Sequence, residues 1–193
     1  MDEELHKALQ FLIGSVKDTA PITISTAQTQ TWFVFTDGAY EPGSDHPGTI
    51  GGLLVDQWGR SVEFFGLAVP KTLLDQFLEE SDHPIYELEL LPVVVAVRIW
   101  AKILFRTHTV FYLDNAAAHG ALVRADGATK AAACLVREFV KFEKLLHLLP
   151  WFGRVPSFSN PSDDASRLNF NVPWLAAAKQ VQVVLPPHLS QWG

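Results

Sequence analysis

Two stretches decide the fold: T31-WFVFTDG-38 and T49-IGGLLVDQWGRSVEFFGLAV-69. The first is rich in aromatic and β-branched residues and ends on an Asp-Gly turn signal, which predicts a strand closed by Asp37. The second reads as two strands around Gln57-Trp58-Gly59. Three strands in succession with short turns predict an antiparallel meander. The Gly51-Gly52 pair inside the second strand predicts a bulge or a close backbone approach.

Working outward, K71-TLLDQFLEE-80 has the spacing of a short amphipathic helix behind Pro70. I85-YELELLPVVVAVRIWAKIL-104 is apolar on nearly every side, as expected of a helix sandwiched between a sheet and other helices. Pro92 within it must sit in the first turn or kink the helix, because it lacks an N–H and crowds the preceding turn. T107-HTVFYLDN-115 predicts a fourth strand ending at Asp114-Asn115. A short helix follows over 115–125, a long one over 129–149, a fifth strand in L149-PWFGRVPS-157, and a helical start in N160-PSDDASRLNF-170. The order βββ-α-β-α-α-β-α predicts an α/β fold. Its mixed five-stranded sheet has three antiparallel strands, then two further strands, and is flanked by helices. Residues 1–30 are read as an amphipathic helix and linker, 31–170 as the folded domain, and 171–193 as a Pro/Trp-containing tail. Trp100, Trp151 and Phe152 are expected in the core.

The composition narrows the class. The 193 residues are 48% hydrophobic and 19% charged, which excludes long disorder. Cys134 is the only cysteine, so an intramolecular disulfide and a thiolate zinc cage are excluded. The acidic N-terminus has no signal-peptide pattern and no apolar run reaches membrane-spanning length, so an intracellular protein, cytoplasmic or nuclear and without a membrane partner, is expected. The formal charge is −6, yet unevenly placed. Residues 1–97 hold 4 Lys+Arg against 15 Asp+Glu, while 98–167 hold 10 against 6. That asymmetry is either ordinary solvated charge or a basic face with carboxylates gathered elsewhere.

Four acids fall at element ends: Asp37, Glu89, Asp114 and Asp163. Side chains from distant segments converge at such ends, and converging carboxylates repel unless a cation neutralises them. Hard oxygen ligands suit Mg²⁺ or Mn²⁺. Each Asp has a bland alternative, a turn residue for Asp37 and helix caps for Asp114 and Asp163. Glu89 is the most informative, because an acid beside LLPVVVAV is rarely placed for solvation. Jointly, the four in this order favour a metal site.

These segments resemble the ribonuclease H family. FTDGAY is similar to its first catalytic segment, ELELLPVVVAV to its helix segment, and FYLDNAAAHGAL to its third. RVPSFSNPSDDASR is similar to the fourth segment of retroelement reverse transcriptases, most of all DIRS-like elements. The resemblance covers roughly residues 32–170. It implies a metal-dependent endonuclease that hydrolyses the RNA strand of RNA–DNA hybrids, with an upstream reverse transcriptase domain as partner. It implies two Mg²⁺ ions, for which Mn²⁺ can substitute. Asp37 bridges both, Glu89 rather than Glu87 joins Asp114 on the ion that activates water, and Asp163 completes the other. Asp164 is the alternative to Asp163.

The chain also departs from the family pattern. Many members carry a loop His before the last acid, and PSFSN has none, which implies slower turnover or help from another group. His119 is read as a surface or packing residue. Candidate substrate contacts are Asn115, with a helix cap as its alternative, and Asn160, with a turn role as its alternative. Arg137 and Lys141 share a helical side with Lys144 and are candidates to track phosphates, against an ordinary solvated face. Arg167 is a candidate phosphate contact, or a partner for Asp163 or Asp164. Two other readings stay open. One is another nuclease or transposase of the same fold. The other is a catalytically weak or inactive module that binds nucleic acid or protein.

Overall fold

The structure is a computed structural model that describes residues 3–18 and 30–185. The meander forms as expected. Strands β1 (Thr31–Tyr40), β2 (Gly48–Val55) and β3 (Ser61–Ala68) pair antiparallel in sequence. Strand β4 (His108–Leu113) lies parallel to β1 on its other side, and β5 (Leu149–Arg154) lies parallel to β4. The sheet has six strands rather than five. A two-residue strand β6 (Lys179–Gln180) pairs parallel with β3, giving the order β5-β4-β1-β2-β3-β6.

Strand β1 does not end at Asp37. Gly38, Ala39 and Tyr40 continue the ladder opposite Ile50, Thr49 and Gly48, and the turn comes later. The close approach read at Gly51-Gly52 is present, while the register shift lies at Leu54/Val55. Every residue of β2 is buried, because both faces of the sheet are covered there.

Helix α1 (Glu3–Asp18) is the expected amphipathic helix, and its Leu5, Leu9, Leu12, Ile13 and Val16 are exposed. The linker read after it lies in 19–29, outside the described residues. Helix α2 (Lys71–Leu78) leads to α3 (Ile85–Ile99), buried without interruption from Glu87 to Val97. Pro92 sits in the middle of α3, not in its first turn, and the helix continues through it. Having no N–H, Pro92 leaves the Leu88 carbonyl without its usual helical donor.

The chain breaks at Trp100 and resumes as α4 (Ala101–Leu104). Trp100 is 1% exposed, and its indole donates to Glu63 Oε2 at 3.0 Å. Lys179 of β6 sits 3.4 Å from Glu63 Oε1, which ties the sixth strand to β3.

Helices α5 (Ala116–Arg124) and α6 (Lys130–Leu146) follow β4. Between α3, α6 and the sheet lies the main core, where Phe111, Phe139 and Phe152 pack edge-on or tilted with centroids 5.4–5.8 Å apart. A smaller core forms on the opposite face around Leu53, Val55, Phe64, Ala165 and Leu175. It includes two short helices, α7 (Asp163–Ser166) and α8 (Pro173–Ala176). The packed body therefore extends past residue 170. Trp151 departs from expectation. It points away from Phe152 on edge strand β5 and is 71% exposed. Among the described residues no helix is long and apolar enough to cross a membrane.

Candidate active site

Asp37 stands on β1 opposite Gly51 of β2, and Gly51 stands opposite Gly66 of β3. These two glycines make a notch in the sheet. A Cβ at Gly51 would lie 2.3 Å from the Ser166 nitrogen, and one at Gly66 would lie 2.3 Å from the Ala165 carbonyl oxygen. Helix α7 docks into that notch, which only glycine permits.

The approach to α7 is clamped to β1. Asn160 is buried, and its Nδ2 donates to the Thr36 carbonyl at 3.0 Å. Its Oδ1 accepts from the Ser162 hydroxyl at 2.7 Å and the Ser162 N–H at 3.3 Å. Both amide atoms of Asn160, read as a candidate substrate contact or a turn residue, thus bond within the protein. The Ser166 hydroxyl donates to Asp37 Oδ2.

Glu89 enters from the second turn of α3 and Asp114 from the residue after β4. The Gly38 backbone and the Asp114 carboxyl both border the Glu89 carboxylate. Asp37 and Glu89 are 4% and 3% exposed. One ligand oxygen from each of Asp37, Glu89 and Asp114 lies within 4.8 Å of the others. Glu87, the other acid of this turn, accepts from the Thr129 hydroxyl at 2.5 Å instead.

Asp163 opens α7 outside that group of three. Both of its oxygens accept from Arg167 Nε, at 3.1 and 3.2 Å, and Arg167 Nη1 reaches Glu41 at 3.1 Å. Asp164 accepts from Asn169 at 2.8 Å. Asn115 caps α5, its Oδ1 accepting from Ala117 and Ala118 at 2.9 and 3.0 Å. Arg137 donates to Cys134 at 2.9 Å and Lys141 pairs with Glu138 at 3.0 Å, so both are engaged within α6. His119 lies 3.2 Å from the Phe152 carbonyl, a packing contact as read. Two residues went unread in the sequence: Ser166, and Arg154, which donates to the Asp114 carbonyl at 3.0 Å.

No family model and no curated protein matches the chain. Solved structures do. Ribonuclease H1 from the archaeon Halobacterium salinarum aligns at 20% identity with a TM-score of 0.54, over 72% of this chain and 96% of that one. The N-terminal ribonuclease H domain of a Mycobacterium tuberculosis protein aligns at 10% identity with a TM-score of 0.56, over 73% and 94%. The foamy viral protease-reverse transcriptase, solved with an RNA/DNA hybrid, aligns at 10% identity with a TM-score of 0.50, over 78% of this chain and 22% of that one. The chain has a ribonuclease H fold.

Within this ribonuclease H fold the acids are electrostatically frustrated. Burial pushes the Asp37 carboxyl up to about 7, with the charges of Asp114 and Asp163 adding to the rise and the Ser166 hydroxyl and Arg167 opposing it. Burial, then the charges of Asp37 and Asp114, push Glu89 up to about 10. Glu89 Oε2 is buried with no hydrogen-bond partner. An unpartnered carboxylate oxygen among two other acids fits a hard divalent cation.

The pH dependence follows from these shifts. Both carboxyls hold protons more tightly in the folded protein than at their ordinary values of 3.8 and 4.5. The stability they contribute is full below those values. It is lost as pH rises through about 7 for Asp37 and on toward about 10 for Glu89. A divalent cation favours the ionised forms and reverses that loss. Thermal melts with and without Mg²⁺ are expected to show a rise in midpoint at pH 8 of several degrees, at about 2–4 °C per kcal/mol. The rise is expected to be much smaller at pH 5. Equal shifts at both values would count against a carboxylate cation site.

Proposed function

We propose that the chain is a metal-dependent endonuclease that hydrolyses the RNA strand of RNA–DNA hybrids, acting as the ribonuclease H domain of a retroelement reverse transcriptase. The observation that carries this reading is the convergence of Asp37, Glu89 and Asp114 from three separate elements. That the foamy viral relative of this fold was solved with a hybrid supports the substrate.

In this reading Asp37, Glu89 and Asp114 hold one Mg²⁺, and Asp37 with Asp163 holds a second, Mn²⁺ substituting for either. The bound ions supply Lewis acidity toward a phosphodiester and lower the pKa of an attacking water. The chain's own residues do the rest. Gly38 lets α3 bring Glu89 up against β1. Asp163, now paired with Arg167, would hold the second cation, and Arg167, still beside Glu41, would then face a substrate phosphate. At 52% side-chain exposure it can reach one. Arg137 and Lys141 add weak, salt-sensitive attraction to the backbone. Contacts to the 2′-OH select the RNA strand. Residues 1–30 connect to the upstream polymerase domain, the nuclease domain runs from residue 31 through α8 and β6 rather than ending at 170, and the protein works in the cytoplasm or nucleus.

The test is cleavage of an end-labelled RNA–DNA hybrid, with duplex DNA, duplex RNA and single strands as controls. Mg²⁺- or Mn²⁺-dependent cutting of the hybrid alone is expected, leaving 3′-OH and 5′-phosphate ends. Cleavage of duplex DNA would point to another nuclease of this fold. No cleavage with either ion would overturn the enzymatic reading in favour of a binding module.

A further inference from the structure

We propose that Ser166 is a positioning residue for the cation site, acting through Asp37. The inference rests on the cation site of the proposed function and adds a residue outside the four acids. Ser166 is fully buried at the end of α7. Its hydroxyl donates to Asp37 Oδ2 across 129 residues of chain and lies 2.8 Å from the Asp163 carbonyl oxygen. That carbonyl is the local acceptor a helical serine ordinarily uses, but the hydroxyl has one proton, and here it goes to Asp37, leaving the carbonyl as a close neighbour. The bond to Asp37 is not local, and it exists only because α7 is seated in the Gly51/Gly66 notch.

The physical effect is on rotation. The terminal torsion of an Asp carboxylate is broad, so an unheld carboxylate samples many orientations. A hydroxyl fixed by a docked backbone holds one of them before any ion arrives. Ordering that is already in place is not charged against binding. Partners that orient a ligating carboxylate are worth about 10–100-fold in metal affinity. The same serine lies against the carbonyl of Asp163, so one hydroxyl spaces the first acid from the segment that carries the fourth.

The experiment is Mn²⁺ titration of the whole chain followed by electron paramagnetic resonance of free Mn²⁺, with a thermal melt of each variant in chelator. Ser166→Ala is expected to weaken Mn²⁺ binding by about tenfold or more. Ser166→Cys, close in volume but a weak donor, is expected to show the same loss should the alanine variant fold poorly. Ser166→Thr keeps the hydroxyl and is expected to restore affinity. In a D37N background Ser166→Ala should cost nothing further, because the serine acts through that carboxylate. Unchanged Mn²⁺ affinity in Ser166→Ala, or an equal fold-loss with and without D37N, overturns the inference. Mn²⁺ binding without hybrid cleavage would overturn the nuclease reading and leave this one standing. A parent chain that binds no Mn²⁺ overturns both.

Discussion

Asp37→Asn is expected to abolish hybrid cleavage and, in the same protein, to raise the melting temperature of the metal-free form at pH 8. The two effects have one cause. Asp37 is buried beside Glu89 and Asp114, and its carboxyl is pushed up to about 7. Ionising it at pH 8 works against folding, and a neutral amide of the same shape removes that cost. The displacement of about three pH units from 3.8 corresponds to stabilisation on the order of 2–4 kcal/mol. Activity moves the other way. A cation held at several carboxylates supplies several kcal/mol to a phosphodiester transition state, so the expected loss is at least about a thousandfold. Calorimetry and the labelled-hybrid assay on one preparation check both. A variant that melts higher and still cuts within tenfold of the parent would remove Asp37 from the cation site. Sites of this kind commonly exchange stability for function.

Gly38→Ala is expected to be strongly damaging, as are alanines at the Gly51/Gly66 notch. A Cβ there would fall 2.4 Å from the Leu88 carbonyl oxygen, 2.5 Å from its carbon and 3.0 Å from the Glu89 nitrogen. All three atoms are backbone of a buried helix, so no side chain can swing aside. The Leu88 carbonyl also lacks its usual helical donor, because Pro92 has no N–H. Overpacking of this sort costs about 1–3 kcal/mol, and a rigid neighbour places it at the upper end. The same push moves the backbone of Glu89 away from β1 and so displaces its carboxylate from Asp37 and Asp114. The expected result is a fall in melting temperature of several degrees together with loss of the Mg²⁺-induced shift at pH 8. A variant with the parent's melting temperature and the parent's Mg²⁺ shift would show that β1 and α3 are not in this contact.

The glycine explains why one boundary was misread in the sequence. Asp-Gly-Ala after an apolar run has the local grammar of a turn. Here the small residues answer a nonlocal demand, since α3 crosses β1 at Gly38, and the strand continues to Tyr40. Glu89 and Asp114 were legible because local context sufficed: an acid beside an unbroken apolar helix, and an acid at the end of an alternating strand. The meander was legible for the same reason. Ser166 and the clamp role of Asn160 were not, because their partners lie 129 and 124 residues away in the chain. Strand β6 is too short for any periodicity, and its partners, Glu63 and Phe64 of β3, lie 116 residues earlier in the chain. Trp151 was placed in the core on apolarity alone. It sits on an edge strand, while α7 and α8 cover the other half of that sheet face.

The clamp also has a consequence for timing. Asp37, Glu89 and Asp114 are all synthesised well before residues 160–166, which fasten β1 through Thr36 and Asp37. Contacts of such long sequence separation close late in folding, and synthesis runs from the N-terminus. A chain still emerging from the ribosome carries three of its acids without the segment that steadies the first of them. Competence at the site thus arrives only when residues 160–166 have been made, so that a truncated product can hold the acids and yet lack the means to align them.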